Sequence, residues 1–160
     1  MTRTIALATL VAGTLDIVLA MMLSLIFGRE IPNMLRFVAS GPFPAATDMG
    51  ASGAILGLVV HFPLMAIMAA VFVMIARRKS ELTAKPIQWG AIYGLVTYVG
   101  MNLIVVPLRF GNWPPKPLSI ATQLFAHIVL VGIPIALITA RTLRPRENQS
   151  LLRMGRISSI

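Results

Sequence analysis

Residues 50–76 read GASGAILGLVVHFPLMAIMAAVFVMIA, a run with no Asp, Glu, Lys or Arg from end to end. About 20 apolar residues of helix cross a hydrocarbon core of roughly 30 Å, so this stretch is long enough to span a membrane. It also carries two residues that such a setting penalises. His61 must lose its water there, and Pro63 removes a backbone donor and frees the carbonyl of Val59. Pro134 does the same to Leu130 in a later run. Something has to compensate for both kinds of loss.

Three more apolar stretches of spanning length lie at about 4–27, 87–108 and 118–140. The chain of 160 residues is 57% hydrophobic and 12% charged, against about a quarter charged in a soluble domain. Its mean hydropathy is +0.84. The sequence therefore predicts an all-α integral membrane bundle of four transmembrane helices in up-and-down order. A transmembrane domain occupies 1–140 and a basic cytoplasmic tail 141–160, with no room for a soluble domain. The first stretch exceeds the 7–15 apolar residues of a signal peptide. With no cysteine, disulfides and thiolate chemistry are excluded.

Net charge is +9, yet its placement speaks for a bilayer and against nucleic acid. Arg3, Arg77, Arg78, Lys79, Lys85, Arg141, Arg144, Arg146, Arg153 and Arg156 fall on one side, and only Arg29, Arg36, Arg109 and Lys116 on the other. An excess of Lys and Arg marks the cytoplasmic side, which places both termini there. The segment IPNMLRFVA at 31–39 is expected as a short interfacial helix, with Thr47 or Asp48 capping the second span. Trp89 and Trp113 stand where interfacial aromatics belong, and Pro107 is expected to end the third span.

One polar residue from each span falls roughly 18–24 Å from the inner boundary at about 1.5 Å of rise per residue. These are Asp16, His61, Asn102 and His127. Each follows a stripe spaced for one helix face: Ala8, Ala12 and Asp16, then Ala20 and Ser24; Gly53, Gly57 and His61; Gly90, Gly94, Tyr98 and Asn102; Ser119, Gln123 and His127. Small residues let helices approach closely. The four polar residues are thus expected inside the bundle as one layer, with Tyr98 and Gln123 in support, Gly53, Gly57, Gly90 and Gly94 at helix contacts, Pro63 and Pro134 as kinks, and His61 paired with Asp16. A weak twofold echo accompanies them: Asp16 with His61 and Pro63, then Asn102 with His127 and Pro134.

GAILGLVVHF at 53–62, GAIYGLVTYVGMNLIVVPLR at 90–109 and QLFAHIVLVGIPIALITAR at 123–141 together resemble a group of short uncharacterised four-helix inner-membrane proteins of proteobacteria. The resemblance implies a multi-pass protein of a bacterial inner membrane. It carries no activity to any residue.

No serine triad, phosphate loop, zinc motif or carboxylate pair is present, which leans against an enzyme. The favoured expectation is a non-enzymatic accessory or scaffold subunit in the lipid bilayer, packing against a larger membrane complex or its own copies, without cofactor. One alternative is a b-type haem protein using His61 and His127, whose helices would be diagonal in a square bundle, roughly 11–14 Å apart if neighbouring axes are 8–10 Å apart. Another is a small proton-coupled transporter using Asp16, although helix 1 lacks aromatic residues near the acid.

Overall fold

The computed structural model describes residues 1–111 and 113–143, whose regular elements are all helical, with no strand among them. In chain order the helices are α1 (Thr2–Ile26), α2 (Ile31–Ser40), α3 (Gly50–Ala76), α4 (Glu81–Ala84), α5 (Pro86–Phe110) and α6 (Pro117–Leu143). α1, α3, α5 and α6 are each long and apolar enough to cross a membrane. Most of the expected basic tail, from 144 onward, lies outside the described residues.

α5 and α6 are not uniform. Val99–Val105 in α5 and Ala126–Gly132 in α6 form wider π turns. Each stops two residues before a proline, Pro107 and Pro134. A proline ring clashes with the carbonyl four residues back and offers no N–H, and a π turn shifts the bonding register past that position. The expectation that Pro107 ends the third span is corrected by this device: the helix runs through it to Phe110. Pro63, by contrast, sits inside α3 with no π turn beside it.

α3 shows how the sequence sets the packing. Gly53, Gly57, His61, Met65, Ala69 and Val73 are buried at intervals of four, while Ile55, Val59, Pro63, Ile67 and Val71 on the other side are exposed. The glycines are where another backbone comes in. A Cβ at Gly57 would overlap the Leu35 carbonyl of α2, and one at Gly53 the Ala46 carbonyl. The short segment 31–39 thus forms the expected helix, seated against the glycine groove at the start of α3. Thr47 and Asp48 are not the cap of α3. They belong to a 3-10 turn, Pro44–Asp48, in which the Thr47 hydroxyl donates to the Pro44 carbonyl at 3.2 Å. Met49 precedes the helix instead.

The spans meet in one dense core at the end that holds the N-terminus. Ala8 and Ala12 of α1, Met65, Ala69, Phe72 and Ala76 of α3, Leu82 of α4, and Val131, Ile135 and Ala136 of α6 form it, with Trp89 and Tyr93 of α5 against its edge. The Tyr93 hydroxyl donates to the Met68 carbonyl at 2.7 Å, tying α5 to α3. Towards the end that holds α2, a separate small cluster, Ile17, Leu35 and Ala54, joins α1, α2 and α3. The corresponding stretches of α5 and α6 contribute nothing to it: neither Val99–Val105 nor Pro117–Phe125 has a buried residue.

Candidate functional site

Three of the four polar residues of the spans are hydrogen-bonded, in two separate groups, one in each half of the chain, and the fourth, Asp16, stands beside the first group without a bond among the described residues. In the second, His127 is buried and both its nitrogens are engaged. Nε2 lies 3.1 Å from the Asn102 amide nitrogen, and Nδ1 lies 3.2 Å from the Thr97 hydroxyl oxygen. The Thr97 hydroxyl in turn donates to the Gly94 carbonyl at 2.9 Å. Counting donors assigns the tautomer. The proton of Thr97 is committed to Gly94, so His127 donates from Nδ1 to Thr97, and its bare Nε2 accepts from Asn102. A neutral imidazole satisfies every position. Tyr98 is buried and edge-on to the ring, with centroids 6.1 Å apart.

Glycine makes this approach possible. A Cβ at Gly94 would overlap the His127 carbonyl, and one at Gly132 would overlap the carbonyl of Gly90. α5 and α6 therefore touch backbone to backbone, which brings Asn102 and Thr97 within reach of one ring. The π turn containing His127 sits at this contact.

The first group is built differently. His61 is buried on α3, and its Nε2 lies 2.9 Å from the Gly13 carbonyl of α1. A carbonyl only accepts, so Nε2 carries the proton, the opposite tautomer to His127. Phe62 meets α1 at the same place, its ring 3.0 Å from where a Gly13 Cβ would stand. Here the structure departs from the expected single layer. Asp16, one turn along from Gly13, is half-buried, and its side chain makes no hydrogen bond or ion pair among the described residues. The imidazole reaches the carbonyl because Gly13 has no side chain to hold α3 away, and that contact places it on the turn before the carboxylate.

Asn102 is half-buried and bonded, Gln123 is half-buried and its side chain makes no hydrogen bond among the described residues, and Ser119, which begins its stripe, is exposed. Sequence reasoning missed Gly13, Thr97 and Gly132. Thr97 lies three residues after Gly94 on the buried face, so its position on that stripe was a usable signal. Gly13 offered only an extra small residue beside Ala12.

As for chemistry, the His127 group has no uncommitted proton to pass on. The His61 group does have unsatisfied positions: Nδ1 of the ring and the Asp16 carboxylate have no hydrogen-bond partner among the described residues. A haem between the two histidines would have to displace the bonds to Gly13, Asn102 or Thr97. No three His, Cys, Asp or Glu residues converge as metal ligands among the described residues. The chain matches no protein-family model, no curated protein and no solved structure, so beyond the four apolar spans that mark a multi-pass membrane protein, its function is read from its own residues.

Proposed function

We propose that the chain is a non-enzymatic accessory or scaffold subunit of a bacterial inner membrane, its four spans running up and down with both termini cytoplasmic. One observation carries the reading. The stretches Val99–Val105 and Pro117–Phe125 bury no residue and leave Asn102 and Gln123 half-exposed. Within a span lipid cannot satisfy an amide, and interhelical partners are the usual remedy. The surrounding surface is apolar, with Ile104, Val105, Leu118 and Phe125 all about half exposed or more. Such a face suits another membrane helix, from a larger complex or a second copy. Because the chain has no cysteine, Ile104→Cys provides a single crosslinking site there. We expect a defined crosslinked adduct in native membranes, and the same partner to co-purify in mild detergent. A monomer by native mass spectrometry with no adduct overturns the proposal.

A second reading, a proton-coupled transporter, is favoured by the unsatisfied pair of Asp16 and the His61 Nδ1. Ionisable groups within a span are costly, and they commonly mark ion or proton pathways. Proton-driven uptake in proteoliposomes that survives Asp16→Glu and is lost in Asp16→Asn would support it over the scaffold role.

A further inference from the structure

A cleft of about 540 Å³ opens at the junction of α4 and α5, lined by Glu81, Ala84, Lys85, Gln88, Trp89 and Ile92. Its lining is graded along the chain. Glu81 and Lys85 are exposed charges in the connection, Gln88 is an exposed amide at the start of α5, Trp89 is half-buried against the bundle core, and Ile92 is an exposed apolar residue inside the span. Glu81 and Lys85 are one turn apart, the Lys85 N–H donating to the Glu81 carbonyl at 3.2 Å, yet their side chains form no ion pair with each other or with any other described residue. Two opposite charges thus line one cleft without an ion pair among the described residues.

We propose that this cleft binds the headgroup of a phospholipid bearing a primary ammonium, of the phosphatidylethanolamine class. The inference rests on the chain spanning a membrane, not on its role as a scaffold. The order of groups decides the ligand. In such a lipid the acyl chains lead to the glycerol, then the phosphate, then the terminal ammonium. The cleft presents the same sequence of complements along the chain: Ile92 and Trp89 for the chain and glycerol, Lys85 at the start of the span for the phosphate, and Glu81, four residues earlier in the connection, for the ammonium. A choline headgroup has no N–H to donate to Glu81, and a glycerol headgroup brings no positive charge. Trp89 supplies an amphipathic wall of the kind found at headgroup depth.

Trp89 also supplies the readout. In a Trp113→Phe background it is the sole tryptophan, and lipids brominated on the acyl chain near the glycerol quench it on contact. In vesicles of otherwise uniform phosphatidylcholine, we expect brominated phosphatidylethanolamine to be preferred roughly threefold over brominated phosphatidylcholine or phosphatidylglycerol, the order expected of the one solvent-facing contact, ammonium to Glu81, that the other two headgroups lack. Glu81→Gln should abolish the preference over choline, and Lys85→Met should weaken quenching by all three lipids. Exchanging the two charges, Glu81→Lys with Lys85→Glu, keeps the net charge but reverses the order, and should also remove the preference. Equal quenching by the three lipids in the unaltered cleft overturns the proposal, as does a preference that survives the exchange. Soluble phosphoethanolamine abolishing the preference at micromolar concentration would identify a free headgroup as ligand and overturn the lipid assignment. Unchanged circular dichroism and melting of the exposed variants show that the bundle is intact.

Discussion

Gly94 and Gly100 lie six positions apart on α5, yet their surroundings are opposite. A Cβ at Gly94 would strike the His127 backbone, whereas one at Gly100 would meet nothing within 4 Å. Alanine favours a helix over glycine by about 1 kcal/mol, while overpacking a tight contact costs about 1–3 kcal/mol. Gly94→Ala should therefore lower the melting temperature in detergent, and Gly100→Ala should leave it unchanged or raise it; equal effects would remove the case for backbone contact between α5 and α6. The hydrogen bonds allow a second comparison. Asn102 and His127 share a bond and His61 and His127 share no partner. A thermal double-mutant cycle with Asn102→Leu and His127→Leu should show coupling of about 0.6 kcal/mol or more, typical of interhelical bonds in membranes. His61→Leu combined with His127→Leu should be additive within about 0.5 kcal/mol. Coupling in the second cycle as large as in the first would restore a single polar layer.

At the scale of elements, α2 is held by a residue 68–69 positions away. Arg109, near the end of α5, donates from Nε to the Gly41 carbonyl at 2.7 Å and from Nη2 to the Ser40 carbonyl at 2.8 Å. These are the carbonyls that a helix C-terminus leaves unpaired, and a cation there also meets the negative end of the helix dipole. Phe110 stacks on Phe37 alongside, centroids 4.5 Å apart. Arg109→Ala should accelerate hydrogen exchange across 31–41 while the core around Phe72 and Ile135 keeps its protection; unchanged exchange in α2 would show that the glycine groove alone holds it. Arg109→Lys should recover only part, because an ammonium lacks the fork that reaches two carbonyls at once. This contact also shows the limit of reading from sequence. The spans, the α2 helix and the glycine stripes are legible because length, hydropathy and small-residue spacing are local properties that packing must respect. The partner of Arg109, the turn of α1 that His61 reaches and the π register before Pro107 depend on how distant elements settle against each other. Periodicity places His61 on the inner face of α3. It does not choose between Asp16 and a carbonyl one turn away.

For the whole molecule, the remaining question is orientation, and two contacts make it testable with few probes. The Arg77 guanidinium lies 2.9 Å from the Met1 sulfur, placing the end of α3 beside the start of α1, and Arg109 on Ser40 places the end of α5 beside α2. Ser80 follows the Arg77–Lys79 run at the first end, and Lys116 precedes α6 at the other. Ten of the fourteen Lys and Arg residues fall at the first end or in the tail. Cytoplasmic loops retain such an excess during insertion, so the first end should be cytoplasmic. Single cysteines at the exposed positions Ser80 and Lys116 disturb neither core. In intact cells an impermeant maleimide applied from outside should label Lys116→Cys and spare Ser80→Cys, and disrupting the membrane should make both reactive. Labelling of Ser80→Cys alone would invert the bundle, and would place both α2 and the Arg109 clasp in the cytoplasm. Labelling of both from outside would mean that the population inserts in two orientations, in which case charge alone does not orient this chain.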